Sequence, residues 1–440
     1  MLSTFAFVAV TQLQVTPTQN GQIKVDPKNI KVKPFSHKEP APGYLSEFKW
    51  ETDIPVNGSL GDNKTYEKVT KGIRATMKAN GIPGAQVAIL DNDELVYSRA
   101  FGYSNLSTMA EFVTTMPTRC GSISKTACAL AALRLVEQGK LSLDETIFSI
   151  FPALSNPGGP KTYKEGWQNV RVRDLMDQCS GIPAGATYLT SHKMADGLKK
   201  KMRLSKLDLL GYAITNIDLI KPRKKWAYNN LNFEILSLII EHKTGRNFAD
   251  ALQTLVVQPL GIGSTQMFLS PTVQEPPAGR AREARYYQKQ TQMLESIYEK
   301  GKLLPEAYGG LDGEVLSGAG HIAFTAEAIA KMVQALRDRP TTVLKSTLWS
   351  AITTRPEYVD SGLNKQFTES FYYSKGTWVT KNNETKENWF QHGAMLMHAA
   401  GNYYPYNNRY QVVVLANSNS KSGTLHDQFL SAAVNSNLPN

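Results

Sequence analysis

Residues able to do chemistry gather first at Arg119-Cys120-Gly121-Ser122-Ile123-Ser124-Lys125-Thr126, which runs into Ala127–Gln138 and stops at Gly139. A Ser-x-x-Lys spacing at the start of a helix puts both side chains on one face, one turn apart. A serine hydroxyl becomes a nucleophile when a neighbouring base takes its proton, and a buried lysine with a lowered pKa can be that base. The helix N-terminus adds partial positive charge and free backbone N–H groups beside the serine. Alone, the same residues read more readily as an N-capping serine and a solvated lysine. The motif therefore needs partners.

Two later segments supply them. In Trp226-Ala227-Tyr228-Asn229-Asn230, the tyrosine hydroxyl can relay a proton to a leaving group. The Asn230 amide can hold a substrate carbonyl and the lysine together. Phe390-Gln391-His392-Gly393-Ala394 falls on a predicted strand near the chain end. A glycine there lets a substrate backbone approach closely, and a strand N–H can complete an oxyanion hole. The seven histidines show no ligand spacing on one element, and Cys120, Cys128 and Cys179 give neither an even disulfide framework nor metal spacing. No metal or cofactor is expected, and Cys120 and Cys128 read as small buried residues.

The elements that must position these residues follow from periodicity. Val69, Ile73 and Met77 have helical spacing, ended by Asn80-Gly81-Ile82-Pro83-Gly84. Strands at Ala85–Leu90 and Glu94–Phe101 form a hairpin across Asp91-Asn92-Asp93. Helices are predicted from Val170, over Leu198–Asn216 and over Asn232–Lys243, and Thr325 caps another through Leu336. Strands return at Gly376–Thr380, Trp389–Ala399 and Tyr410–Ala416, before a closing helix at Thr424–Ser436. This order predicts an α/β (α+β) fold, with one antiparallel sheet built from both chain ends, flanked by helices, and a mostly helical subdomain inserted. Residues 1–60 read as an extended arm, 61–120 and 330–440 as the sheet subdomain, and 121–329 as the helical one. Residues 270–315 are too long for a plain loop and read as a lid-like insertion.

The 440 residues are 41% hydrophobic and can bury a large core, yet no apolar run reaches transmembrane length. The net charge of +11 gathers at 199–203, 221–225 and 280–285 without any nucleic-acid signature, so it reads as solvated surface and no nucleic-acid partner is expected. The apolar start, Met1–Val10, fits either a signal-peptide remnant or an ordered strand, and the reading favours a secreted or periplasmic protein over a cytoplasmic one.

Together the three motifs resemble those of the penicillin-recognising serine hydrolases: class C β-lactamases, D-alanyl-D-alanine carboxypeptidases and family VIII carboxylesterases. The resemblance spans roughly residues 66–435. Gly81-Ile82-Pro83-Gly84, Gly139–Asp144, Ser180-Gly181-Ile182-Pro183, Arg285-Tyr286-Tyr287 and Val414–Asn417 also look like that family. It implies that Ser122 forms an acyl-enzyme, that Lys125 and Tyr228 share acid/base work, and that Asn230 orients the acyl group. It further implies an oxyanion hole from the Ser122 and Ala394 backbone N–H groups. The third motif departs from the pattern. With Gly393 as its glycine, Gln391 stands where the family has lysine or histidine, and His392 is a further donor; this register fits the flanks better than one beginning at His392. Losing that cation argues against β-lactams and D-peptides more than against nucleophilic catalysis. The first expectation is a serine hydrolase acting on small esters or amides. A D-amino-acid peptidase or β-lactamase comes second, and a catalytically idle scaffold third. The expected partner is a small-molecule ester, amide or peptide.

Overall fold

The computed structural model describes residues 48–155, 163–184, 191–270, 283–287, 293–381, 387–395, 399–406, 409–418 and 438, and four short strands between Val8 and Pro34 that pair with one another. Within 8–34, 387–395 and 399–406 the structure describes the backbone.

An edge strand, β1 (Val56–Leu60), precedes α1 (Glu67–Asn80). Helix α1 buries Val69, Ile73 and Met77, and Gly81 ends it at φ +62°, a left-handed conformation that costs glycine nothing. Strands β2 (Gly84–Asp91) and β3 (Glu94–Asn105) follow. Their two-residue turn puts Asn92 and Asp93 at φ +44° and +73°, the positive values that match strand twist. Strand β4 (Thr118–Arg119) and a 3-10 turn (Gly121–Ile123) lead into α2 (Ser124–Glu137).

The middle of the chain holds α3 (Val172–Met176), α4 (His192–Leu198), α5 (Lys206–Asn216) and α6 (Leu231–Thr244). The helix expected over 198–216 starts only at Lys206, and a separate helix ends at Leu198. Lys199 leaves α4 in a left-handed conformation, and the Ser205 hydroxyl caps α5 by accepting the Asp208 N–H. Strands β5 (Met267–Leu269) and β6 (Ile322–Phe324) join β4 in a small sheet, ahead of α7 (Ala326–Asp338). Last come β7 (Phe371–Ser374), β8 (Thr377–Lys381), β9 (Glu387–Met395), β10 (Ala399–Tyr406) and β11 (Tyr410–Ala416). The one strand expected over 389–399 is therefore shared between two antiparallel strands, paired from Gln391 opposite Tyr403 to Met395 opposite Ala399. The expected helix at 424–436 lies outside the described residues.

The large sheet has nine strands among the described residues, in the order β7-β8-β9-β10-β11-β2-β3-β1, with Ala110–Glu111 pairing on β3. Its centre joins the two chain ends, Val413 opposite Ala88 and Ala416 opposite Ala85. Alternation divides the side chains between two cores. Val87, Ile89, Val412 and Val414 pack with α1, whereas Ala88, Leu90, Val413 and Leu415 join the main core with α2, α6 and α7. Of the 270–315 segment, the described part forms a small core of Tyr286, Ala307, Tyr308 and Leu311, joined by Leu316 just beyond it. Among the described residues no helix is long and apolar enough to cross a membrane.

Candidate active site

Ser122 sits in the 3-10 turn and keeps part of its surface open, while Lys125, in the first turn of α2, is fully buried. The Lys125 Nζ has three oxygen neighbours: Ser122 Oγ at 2.9 Å, Asn230 Oδ1 at 2.8 Å and the Ala319 carbonyl at 2.7 Å. An ammonium has three donors and no acceptor, so this cradle satisfies the charged lysine completely. A neutral amine fits equally. Asn230 and Ala319 then take its two N–H groups, and its lone pair is left facing the Ser122 hydroxyl. That second arrangement is what a base for Ser122 requires.

Each wall of the cradle has a local cause. Asn230 stands just before α6 with its side chain turned to Lys125 instead of capping the helix, and the loop before it is anchored to the turn after α3. The Asn229 N–H donates to Gln178 Oε1 (2.9 Å), Asn229 Nδ2 to the Pro183 carbonyl (2.7 Å), and Ala227 N–H to the Gln178 carbonyl (2.9 Å). Ser180 Oγ and Gln178 Oε1 in turn bind the two ends of the buried Asn232 amide. The Ser180–Pro183 segment thus serves as a scaffold for Tyr228 and Asn230. Ala319 arrives through Gly318, where a Cβ would stand 2.3 Å from the Phe233 carbonyl, so only glycine lets this loop pass between α2 and α6. Its other end is fixed by the Cys120 N–H donating to the Ile322 carbonyl and the Ile322 N–H donating to Ser124 Oγ, both 3.1 Å.

Tyr228 meets the lysine through its ring face, with Nζ 4.9 Å from the ring centroid. Gln391, His392, Gly393 and Ala394 lie on β9, whose backbone packs against the Gly121–Ile123 turn. Strand β8 pairs with β9 only from Lys381↔Glu387 to Trp378↔Phe390. Residues 391–395 are therefore bonded to β10 on one side, and their other edge has no strand partner among the described residues. Such an edge offers backbone N–H and C=O groups to a substrate. The side chains of 391–394, and with them the choice between Gln391 and His392, lie outside the described residues.

Several supporting residues escaped the sequence reading. The β7–β8 turn, Ser374-Lys375-Gly376-Thr377, presses on the back of the lysine: a Cβ on Gly376 would be 2.6 Å from the Lys125 carbonyl oxygen. Thr126 Oγ1 donates to the Gly376 carbonyl (3.0 Å), and the Gly376 N–H to that of Met176 (3.2 Å). Lys375 Nζ bridges both carboxylate oxygens of Asp177 at 3.0 Å, with both side chains buried. Glu234, one turn beyond Asn230, is buried, and burial pushes its carboxyl up to about 8 against the opposing pull of Lys125 and Lys206. Arg119, also buried, donates to Ser270 Oγ (2.7 Å) and lies over the Tyr286 ring, tying the strand before Ser122 to the 270–315 segment. Gly318 and Gly376 were the available signals, but a glycine does not say which backbone it approaches. The cysteines are free and buried, with burial pushing the Cys120 thiol up to about 12.

A Ser-x-x-Lys turn beside an antiparallel sheet that joins both chain ends defines a β-lactamase/transpeptidase-like fold. A model of the Beta-lactamase family matches residues 69–434, and the chain belongs to that family. Among solved structures it resembles an octameric penicillin-binding protein homologue from Pyrococcus abyssi (TM-score 0.62, 18% identity, 83% of this chain and 76% of that one). It also resembles EstCE1, described as a hydrolase with promiscuous acyltransferase activity (0.62, 19%, 84% and 100%), and the D-amino acid amidase of Ochrobactrum anthropi SV3 (0.59, 18%, 84% and 100%). At these identities the likeness is one of fold. Protein flp of Staphylococcus aureus strain N315 is 22% identical over 203 residues, 46% of this chain and 38% of that protein. Penicillin-binding protein 4* of Bacillus subtilis strain 168 is 27% identical over 186 residues, 41% and 37% respectively. The matches thus span less than two fifths of these curated relatives' length.

Proposed function

We propose that the protein is a serine hydrolase that acts on small carboxylic esters or amides through an acyl-enzyme. Ser122 Oγ attacks the acyl carbon while its proton passes to neutral Lys125. The tetrahedral oxyanion is met by backbone N–H groups of Ser122 and Ala394. As the bond to the leaving group breaks, that group takes the proton, relayed by Lys125 and Tyr228. Water, deprotonated by the same pair, then cleaves the Ser122 ester and restores the free hydroxyl. The observation that carries this reading is the lysine cradle. Asn230 and the Ala319 carbonyl occupy two of the three Nζ directions and leave Ser122 at 2.9 Å on the third.

The test uses a p-nitrophenyl ester, nitrocefin and a fluorophosphonate probe on wild type and Ser122→Ala. Ester turnover and probe labelling are expected in the wild type, with both abolished in the variant. Labelling that persists in Ser122→Ala, or a wild type inert to the ester and the probe, would refute the assignment. Turnover of nitrocefin without that of the ester would instead favour a β-lactamase.

A further inference from the structure

A strip of aromatic rings leaves the site at Tyr228. The Trp226 centroid is 6.1 Å from that of Tyr228 and 5.5 Å from that of Trp378, and Phe371 stacks on Trp378 at 5.5 Å with planes 6° apart. Behind them, Tyr373 stands edge-on to Tyr228 at 5.9 Å and to Trp378 at 5.2 Å, and Phe367 meets Trp226 at 5.1 Å. The two layers differ in exposure. Tyr373 and Phe367 are buried, whereas Tyr228, Trp226, Trp378 and Phe371 all keep part of their surface open. Four adjoining rings left partly open forgo burial that a core would otherwise collect.

The strip meets the proposed machinery at two points. Tyr228 lies against Lys125, and Trp378 pairs across the sheet with Phe390, the residue before Gln391. The rings are backed by Phe367 and Tyr373, and the backbone that carries Trp226 is fixed without a ligand. The Trp226 backbone N–H donates to Asn364 Oδ1 (2.9 Å), and Asn364 Nδ2 donates to the carbonyls of Lys224 and Tyr358 (2.9 and 2.8 Å). A surface so preorganised loses little entropy on binding, and ring faces reward offset or edge-to-face contact with another ring.

We propose that this strip is the specificity surface of the enzyme, and that the substrate carries an aromatic group which stacks on Trp226 and Trp378 while its ester or amide lies at Ser122. The proposal rests on the serine-hydrolase reading, so its test has an arm that needs no turnover.

In the first arm, hydrolysis of ethyl phenylacetate and of benzyl acetate is compared with that of ethyl acetate by proton release; the two aromatic esters place the ring on the acyl and on the leaving side. The ratio of kcat/KM, aromatic over plain, is expected to reach at least tenfold for one of them, about 1.4 kcal/mol. In Trp378→Leu and Trp226→Leu that ratio is expected to fall at least fivefold. Ratios within twofold of unity for both esters, or a ratio untouched by both substitutions, would overturn the proposal. In the second arm, calorimetry follows ethyl phenylacetate and benzyl acetate binding to Ser122→Ala. Saturable binding to at least one, weakened at least fivefold by adding Trp378→Leu, is expected; no saturable binding to either overturns the strip even if Ser122 proves catalytic. Conversely, a wild type inert to the esters and to the fluorophosphonate probe, with the binding pattern present in Ser122→Ala, supports the strip while refuting the hydrolase reading. Far-ultraviolet circular dichroism establishes that the leucine variants are folded.

Discussion

Lys375→Met separates what the β7–β8 turn does for stability from what it does for the proposed nucleophile, Ser122. In the native protein the Asp177 carboxylate receives Lys375 Nζ on both oxygens at 3.0 Å, the Lys375 N–H at 3.1 Å and Ser374 Oγ at 3.4 Å. Methionine keeps most of the volume but leaves a buried carboxylate without its cation, a loss of about 3–5 kcal/mol. An unfolding entropy of about 2.1 cal/mol/K per residue gives about 0.9 kcal/mol/K for the whole chain, so the thermal midpoint should fall by ~3–5 °C. Adding Asp177→Asn removes the stranded charge and should return most of that loss. The catalytic effect is separate. Gly376 lies against the Lys125 peptide, and misplacing a reacting group by about 1 Å can lower a rate about 100-fold. Fluorophosphonate labelling of Ser122 at 20 °C, where the variant remains folded, is expected to slow by ~10–100-fold. An unchanged midpoint would refute the buried-pair argument. A lowered midpoint with wild-type labelling would refute the claim that the turn positions Lys125.

Two further outcomes follow from burial. Glu234 titrates near 8 when folded and near 4.5 when unfolded, so between those values the folded state holds one proton more and stability declines as pH rises. Glu234→Gln should flatten the fall in thermal midpoint between pH 5 and 8 and exceed wild type at pH 8; a wild-type slope in the variant would exclude this carboxyl as its source. The three buried thiols, all with raised pKa, should resist Ellman's reagent in the native protein and all react in guanidinium, and rapid native reaction of any one would contradict its burial.

Much of the frame was legible because it rests on local rules. Val69, Ile73 and Met77 announce α1, Asn92-Asp93 announces its hairpin, and Gly245 ends α6 in a left-handed turn. The errors fell where local signals are silent or mixed. A break between α4 and α5 is set by a lysine in a left-handed conformation, which no composition rule flags. The antiparallel pairing of β9 with β10 brings together residues of a stretch, 389–399, that reads as one strand, and the residues following it.

The same division runs through the candidate site. Sequence by itself singled out Ser122, Lys125, Tyr228 and Asn230, because residue type and spacing along one helix or loop encode what those side chains can do. It could not show that the third acceptor for Lys125 is the Ala319 carbonyl, since every residue has a carbonyl and only packing of Gly318 between α2 and α6 aims this one. Nor could it bring Lys375 to Asp177, 198 positions away, or set Trp378 beside Trp226. Those contacts arise where the C-terminal hairpin closes on the helical region, and long-range closure of that kind leaves no periodic trace in the chain.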